Sequence, residues 1–374
     1  MRQFRRCISF RKRPRINFGV TERKKMNTKN NHSKIIISIL IFLGVMNMTG
    51  CATLKIGIDE KAKGLENTRK LGVEINGVLN GIFITSTNED NPVLLFISGG
   101  PGVPEVWLNE VYANQYPNKL AEHFTVCYWD YIGEGLSYSR KIKAEEITLE
   151  RLTEDAMTVA KYLKEKYGKE KIYLMAHSSG SNLGLHLAQT DSEDFYCYFG
   201  MGQVYGDDKA RMNAGYDFLK TEFEKTGNKK GLKKLNKLTS SSNVGRDLEQ
   251  VLLMAGCATT REMRSDAKDI FFKQLSANCY TNQEKINYWK GKMLLSKSAY
   301  SKYNTVQDAD KPALIPVHFF SGYYDYTTPI TLSKELLEKL EAPEKKFYTF
   351  YNSAHSPLWE ENELVIEAML EHVR

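Results

Sequence analysis

From residue 71 to residue 204, short apolar runs alternate with stretches of helical spacing. Residues 93–97, 124–129, 171–175 and 195–201 are near-continuous apolar segments of strand length. Between them, 147–167 places Leu149, Leu152, Ala156, Val159 and Leu163 at helical intervals and stops at Gly168, and 181–188 has the same character. After residue 310 the alternation resumes. Strand-like 316–320 and 346–351 are separated by helical 333–340, and a helix over 361–373 follows. Continuous apolar strands separated by amphipathic helices predict a mostly parallel sheet covered on both faces. Residues 71–87 read as two antiparallel strands broken at Asn80-Gly81, a hairpin signal.

The pattern changes between 205 and 310. Only helical spacing is found there, over 216–223, 232–238, 248–254 and 285–295, in a Lys-rich context. The simplest organisation is an α/β core made of 71–204 and 311–374, with 205–310 inserted between two strands as a helical cap. Residues 51–70 are polar and read as a tether.

The net charge of +7 over 374 residues is misleading about partners. The first 50 residues hold 12 of the 52 Lys and Arg but one of the 45 Asp and Glu, leaving 40 basic and 44 acidic groups in the rest. The body is mildly acidic, which argues against nucleic acid as a partner. The leader has its own logic. A basic, polar segment is followed by an apolar run over 35–48, too short for a spanning helix and of the length found in secretory signals. Met48-Thr49-Gly50-Cys51 follows directly and resembles a bacterial lipobox, with Cys51 as the lipidated residue. Residues 1–50 are expected to be a leader and lipoprotein-type signal, with Met26 as an alternative start. The body would then be held by an N-terminal lipid on the extracytoplasmic side of a bacterial envelope.

Six cysteines are present. Cys127 and Cys197 fall in apolar runs and read as buried thiols, while Cys257 and Cys279 could pair in an oxidising compartment. The seven histidines are scattered without ligand spacing, so neither a metal nor another cofactor is expected.

The chemistry concentrates at Leu174-Met175-Ala176-His177-Ser178-Ser179-Gly180-Ser181, where a strand runs straight into a helix. A serine at such a corner, flanked two residues either side by Ala176 and Gly180, is a nucleophile elbow. Its sharp turn exposes the hydroxyl, and the helix N-terminus directs amides towards developing negative charge. A serine hydroxyl needs a general base, and the base needs an orienting carboxylate. Asp325 and His355 follow in that order, each just past a strand end, as Ser178 is. His177 reads as structural.

With these residues in place, the sequence resembles the α/β-hydrolase superfamily and, within it, the proline iminopeptidase group. The counterparts of that group's motifs are Ser98-Gly99-Gly100-Pro101-Gly102, then Asp130-Tyr131-Ile132-Gly133-Glu134-Gly135-Leu136-Ser137, the elbow, Gly322 with Asp325, and His355. Ser98 stands where the group has His, and Ile132 where it has Arg. The resemblance implies an oxyanion hole built from a Gly99 or Gly100 amide and the Ser179 amide. It also implies acidic cap residues that hold a substrate amine, for which Asp207, Asp208, Glu222 and Glu224 are candidates. Gln203, just past a strand end, is a candidate for the substrate pocket. The expected activity is Ser-Asp-His acyl transfer on a short peptide. The alternatives are a carboxylesterase acting on small acyl esters and a non-catalytic surface-binding lipoprotein.

Overall fold

A computed structural model describes residues 59–238 and 244–374; the lipobox and the apolar run before it lie outside them. Nine strands form one sheet: β1 (Asp59–Lys61), β2 (Thr68–Ile75), β3 (Val78–Thr85), β4 (Val93–Ile97), β5 (Thr125–Asp130), β6 (Ile172–His177), β7 (Phe195–Met201), β8 (Val317–Gly322) and β9 (Lys345–Phe350). Their spatial order is β1-β2-β3-β5-β4-β6-β7-β8-β9. The pairs from β1 to β3, and β3 with β5, are antiparallel; every pair from β5 to β9 is parallel.

Chain direction across the sheet reverses between β4 and β6. The loops after these two strands therefore splay apart at their C-terminal ends, where open α/β sheets hold ligands. Ser98–Gly102 and Ser178 occupy that crevice.

The central strands are buried on both faces, as continuous apolar runs require. Val93, Leu95 and Ile97 of β4 join one apolar cluster, while Leu94 and Phe96 join the other. The helix Leu149–Tyr167 packs on the first face through Leu152, Ala156, Val159, Ala160 and Leu163. The Thr148 hydroxyl accepts the Arg151 amide at its start, and Gly168 ends it in the left-handed region at φ +62°.

Two boundaries differ from the sequence reading. The hairpin turns at Asn76-Gly77 (φ +46° and +77°), not at Asn80-Gly81. Both dipeptides fit a primed turn, and tertiary contacts decide between them. Asn80 is buried in β3, where its side chain accepts the Trp129 indole N–H at 3.0 Å. Gly81 lies against Leu136 with no room for a Cβ. Within the expected tether over 51–70, residues 59–61 and 68–70 instead pair within the sheet.

Among the described residues, no strand lies between Met201 and Val317, so the insertion is helical as expected. It is not uniform. The helices Asp208–Lys225, Lys229–Leu238 and Val244–Ala255 share a small apolar cluster of their own, with Leu219, Phe223, Leu235 and Leu252 closing on Tyr326 and Ile330. Further along, Tyr280, Tyr288, Leu295 and Tyr300 belong to the two main clusters. No described helix is long and apolar enough to cross a membrane. Cys257 and Cys279 are both free buried thiols, so the pairing considered above does not occur in this structure.

Candidate active site

β6 delivers Ser178 in the left-handed region, at φ +52°. For a residue with a side chain this costs about 1 kcal/mol or more, and the surroundings hold it there. The Ser178 amide donates to the Met201 carbonyl at 2.9 Å. Gly180 lies so close to β4 that an added Cβ would sit 2.8 Å from the Ile97 carbonyl oxygen and nearer still to that of Ser98. The glycine two residues after the serine is thus demanded by the neighbouring strand end. Gly99 fits equally tightly, since a Cβ there would lie 2.8 Å from Ser178 Cβ and 3.4 Å from its Oγ.

Asp325 and His355 meet. His355 Nδ1 lies 2.8 Å from Asp325 Oδ2, and Asp325 is fully buried. Thr328 completes the carboxylate's shell, donating from its amide to Oδ1 (2.9 Å) and from its hydroxyl to Oδ2 (2.8 Å). With Nδ1 occupied, the free nitrogen of His355 is Nε2. Gly202 gives the imidazole room: a Cβ there would lie 2.8 Å from His355 Cε1 and 2.9 Å from Nδ1. The rings of His355 and His177, the residue just before the serine, have centroids 4.6 Å apart. This brings the imidazole to the elbow, although no Ser178–His355 hydrogen bond is formed among the described residues. Hydroxyl–imidazole bonds of this kind commonly tighten only when substrate is bound.

His177 is buried between two acceptors. Its Nδ1 faces Glu105 Oε1 at 2.6 Å and its Nε2 faces the His355 carbonyl oxygen at 2.8 Å. A carbonyl can only accept, so Glu105 and His177 share one proton beyond that of a neutral imidazole with a carboxylate. Burial opposes charge on this ring, but the Glu105 carboxylate overrides it and the net pKa direction is upward. Glu105 also accepts the Gly99 amide, at 3.3 Å through Oε2. Glu105 and His177 together therefore tie the glycine loop, the elbow and the segment carrying His355.

A family model described as "alpha/beta hydrolase fold" matches residues 92–362. "Probable aminopeptidase YbaC" of Bacillus subtilis (strain 168) is 31% identical over 301 residues, covering 78% of this chain and 92% of the relative. The chain belongs to the α/β-hydrolase family. Two solved structures share the fold. The proline iminopeptidase of Mycobacterium smegmatis has a TM-score of 0.55 at 14% identity, covering 81% of this chain and 98% of its own. The esterase RhEst1 of Rhodococcus sp. ECU1013 has a TM-score of 0.51 at 14% identity, covering 82% and 98%.

In this hydrolase the second motif loop buttresses the first. The Tyr131 hydroxyl accepts the Gly102 amide at 3.1 Å, and Asp130 accepts the Leu136 amide at 2.8 Å. Burial raises the Asp130 carboxyl to about 7, against the pull of the Leu136 amide and the Tyr280 hydroxyl. Glu134 is driven upward by burial and by Asp130. Ile132, in the position where the iminopeptidase group has Arg, is buried in the apolar cluster, so packing replaces a charge.

Several expected site residues need correction. The Gly99 amide is turned to Glu105, which leaves the Gly100 and Ser179 amides without an acceptor among the described residues. Gln203 is fully buried, with Oε1 accepting the Tyr198 hydroxyl and Nε2 donating to the Ser181 and Val204 carbonyls, so it braces the post-β7 turn and does not face a substrate. Asp207 caps a helix by accepting the Ala210 amide. Asp208 pairs with Arg211, Glu222 with Lys225, and Glu224 is exposed.

Sequence reasoning missed Glu105 and Thr328. Glu105 stands only three residues past the GGPG string, and an acid so close to a buried loop was the available signal. Thr328, three residues after Asp325, was readable as a turn partner of that carboxylate.

A cavity of about 470 Å³ lies between the cap helices Asp208–Lys225 and Val244–Ala255 and the Tyr326-Thr327 loop that follows Asp325; Ser178, Asp325 and His355 are not on its wall. Glu249, Asp266 and Asp208 are on its wall, together with Arg211 and Arg246. Ala258, also lining it, accepts the His355 amide at 2.9 Å. Burial, then the neighbouring Asp266, pushes the Glu249 carboxyl upward.

Proposed function

We propose that this hydrolase is a Ser178–His355–Asp325 enzyme that acts through an acyl-enzyme and removes N-terminal residues from short peptides. The observation that carries the reading is the 2.8 Å Asp325–His355 contact beside a serine held at positive φ. The 31% identity to a relative named as a probable aminopeptidase supports the peptide class.

Ser178 Oγ attacks the scissile carbonyl carbon while His355 Nε2 takes its proton. Asp325, fixed by Thr328, holds the imidazole and offsets its charge. The tetrahedral oxyanion is met by the Gly100 and Ser179 amides, each worth ~10²–10³-fold in rate when such a donor is lost. Collapse breaks the C–N bond, and His355 returns the proton to the departing amine. Water then attacks the ester, again through His355, and releases the acid and Ser178. Glu249 and Asp266 are the acidic groups assigned to a substrate's free amine, because their cavity adjoins the Asp325 loop. Cys51 is the residue proposed to be acylated, which would tether the enzyme outside the cytoplasm; mass spectrometry of the mature N-terminus tests this.

The activity test has two parts. A fluorophosphonate probe should label the protein and leave Ser178→Ala unlabelled. Turnover of a prolyl arylamide should exceed that of a short-chain nitrophenyl ester, and Glu249→Gln should raise KM for the arylamide alone. Labelling that survives Ser178→Ala removes the nucleophile assignment. A clear ester preference makes the enzyme a carboxylesterase.

A further inference from the structure

At the opposite end of the sheet from Ser178, a second cluster of chemically active side chains is unused by hydrolysis. His318 is the second residue of β8, so about 13 Å of strand separates it from Gly322 and the loop that carries Asp325. It is fully buried, and neither ring nitrogen has a hydrogen-bond partner among the described residues. Leaving a buried polar atom unpaired costs about 1–3 kcal/mol, so this imidazole calls for an occupant or a neighbour. Its neighbours are Glu344, just before β9, and His372 in the C-terminal segment; one donor atom from each of the three lies within 4.8 Å of the others. They line a cavity of about 330 Å³.

The hydrogen bonds around His372 decide what the cluster wants. The Tyr348 hydroxyl donates its one proton to Glu371 Oε2 at 2.7 Å. It must therefore accept from His372 Nε2, which lies 2.8 Å away. In a neutral ring this leaves the Nδ1 lone pair pointing at Glu344 Oε1, 3.4 Å distant, acceptor against acceptor. Either a proton on Nδ1, as between His177 and Glu105, or a metal ion resolves the conflict, and the buried His318 beside them, with neither nitrogen partnered, favours the metal. That separation is already close to the ~3.3 Å between donors on a tetrahedral zinc with ~2.0–2.1 Å bonds. A histidine whose other nitrogen is fixed by a hydrogen-bonded second layer is the usual arrangement for a metal ligand. Lys346 also faces the cavity, but its charge is taken up by Glu371 at 2.5 Å.

We propose that His318, Glu344 and His372 bind a divalent transition ion, with zinc as the fitting case. Two imidazoles and one carboxylate suit zinc better than the oxygen-seeking magnesium or calcium. Water from the cavity supplies the fourth position. Closing the set requires the His318 and His372 rings, now stacked with centroids 3.5 Å apart and 17° between planes, to fan apart at one edge. The ion would staple the C-terminal segment to β8 and β9 far from the nucleophile, so its role is structural.

The test uses the full chain, stripped with a chelator and dialysed against micromolar zinc chloride, with bound metal measured by mass spectrometry. One zinc per chain is expected, lost in His372→Ala and in Glu344→Gln, with a melting temperature about 4 °C higher when zinc is at 100 times its Kd. Tyr348→Phe should keep the fold and weaken zinc ~10–100-fold. Cobalt(II) should give visible absorption in wild type and not in His372→Ala. Because His318 substitution threatens the core, the two rim variants carry the decision. No zinc on the wild-type chain, or equal zinc on wild type and both rim variants, overturns the proposal. Metal content is read directly, so the result is independent of whether the Ser178 reading stands.

Discussion

Gly180→Ala is the sharpest probe of how the elbow is built. The substitution is mild in itself, since alanine is a better helix former than glycine by about 1 kcal/mol and Gly180 opens the helix Gly180–Thr190. The structure predicts the opposite outcome. The new methyl would sit 2.8 Å from the Ile97 carbonyl oxygen and closer to that of Ser98, and both obstacles are backbone. Restoring ordinary contact needs a relative movement of ~1 Å between the end of β4 and the elbow. The Gly99-Gly100 segment follows directly on Ser98, so the same movement carries the amide proposed for the oxyanion away from the hydroxyl. A misplacement of that size costs ~10²-fold in kcat, and overpacking destabilises by about 1–3 kcal/mol. The assay is kcat on a nitrophenyl ester together with the melting temperature. Gly168→Ala is the control. Gly168 also has positive φ, but an added Cβ meets nothing within 4 Å, so it should lower stability by about 1 kcal/mol and leave kcat alone. A Gly180→Ala enzyme with kcat within threefold of wild type would refute the argument that β4 fixes the elbow.

Three further outcomes follow from the site. Gly202→Ala, whose methyl would press on His355 Cε1 and Nδ1, should reduce kcat ~10²-fold and slow fluorophosphonate labelling in parallel; undiminished labelling would show that the imidazole is not confined there. Glu105→Gln removes the charged partner of His177 and loosens the Gly99 amide, so kcat should fall about tenfold at unchanged KM, in keeping with a charge-assisted bond of ~1.5 kcal/mol; a change in KM alone would count against positioning. Burial raises the Glu360 carboxyl to about 7, against the pull of the Arg261 and Ala354 amides. The folded state then holds a proton that the unfolded chain releases near 4.5, so stability should fall as pH rises from about 4.5 to about 7, by at most ~1.4 kcal/mol per pH unit for this group. Urea denaturation across that range should show the decline, and Glu360→Gln should make it shallower, the remainder coming from Asp130 and Glu134.

Much of this was legible in the residues because local pattern and tertiary need coincide. Continuous apolar runs announced a sheet buried on both sides, and Ser178, Asp325 and His355 announced themselves by lying just past strand ends. What escaped depends on contacts between distant segments. Nothing near Asn76-Gly77 distinguishes it from Asn80-Gly81 until Trp129 claims Asn80 and Leu136 crowds Gly81. Gln203 has the composition of a pocket residue, yet Tyr198 and two carbonyls consume its polar atoms. Glu105 reads as an ordinary loop acid in the one-dimensional string, and only the approach of His177 gives it a task.

The division within the insertion has a consequence for diversification. The helices Asp208–Lys225, Lys229–Leu238 and Val244–Ala255 close on a hydrophobic patch of their own that takes in Tyr326 and Ile330, with Leu253 alone of their buried apolar residues in the main wall, whereas Tyr280, Tyr288, Leu295 and Tyr300 are all bricks in that wall. A graft that exchanges the front helices with those of a relative keeps every one of those bricks, so this part of the insertion can be replaced without rebuilding the foundation. Exchanging the whole insertion would pull four large side chains out of the interior at once.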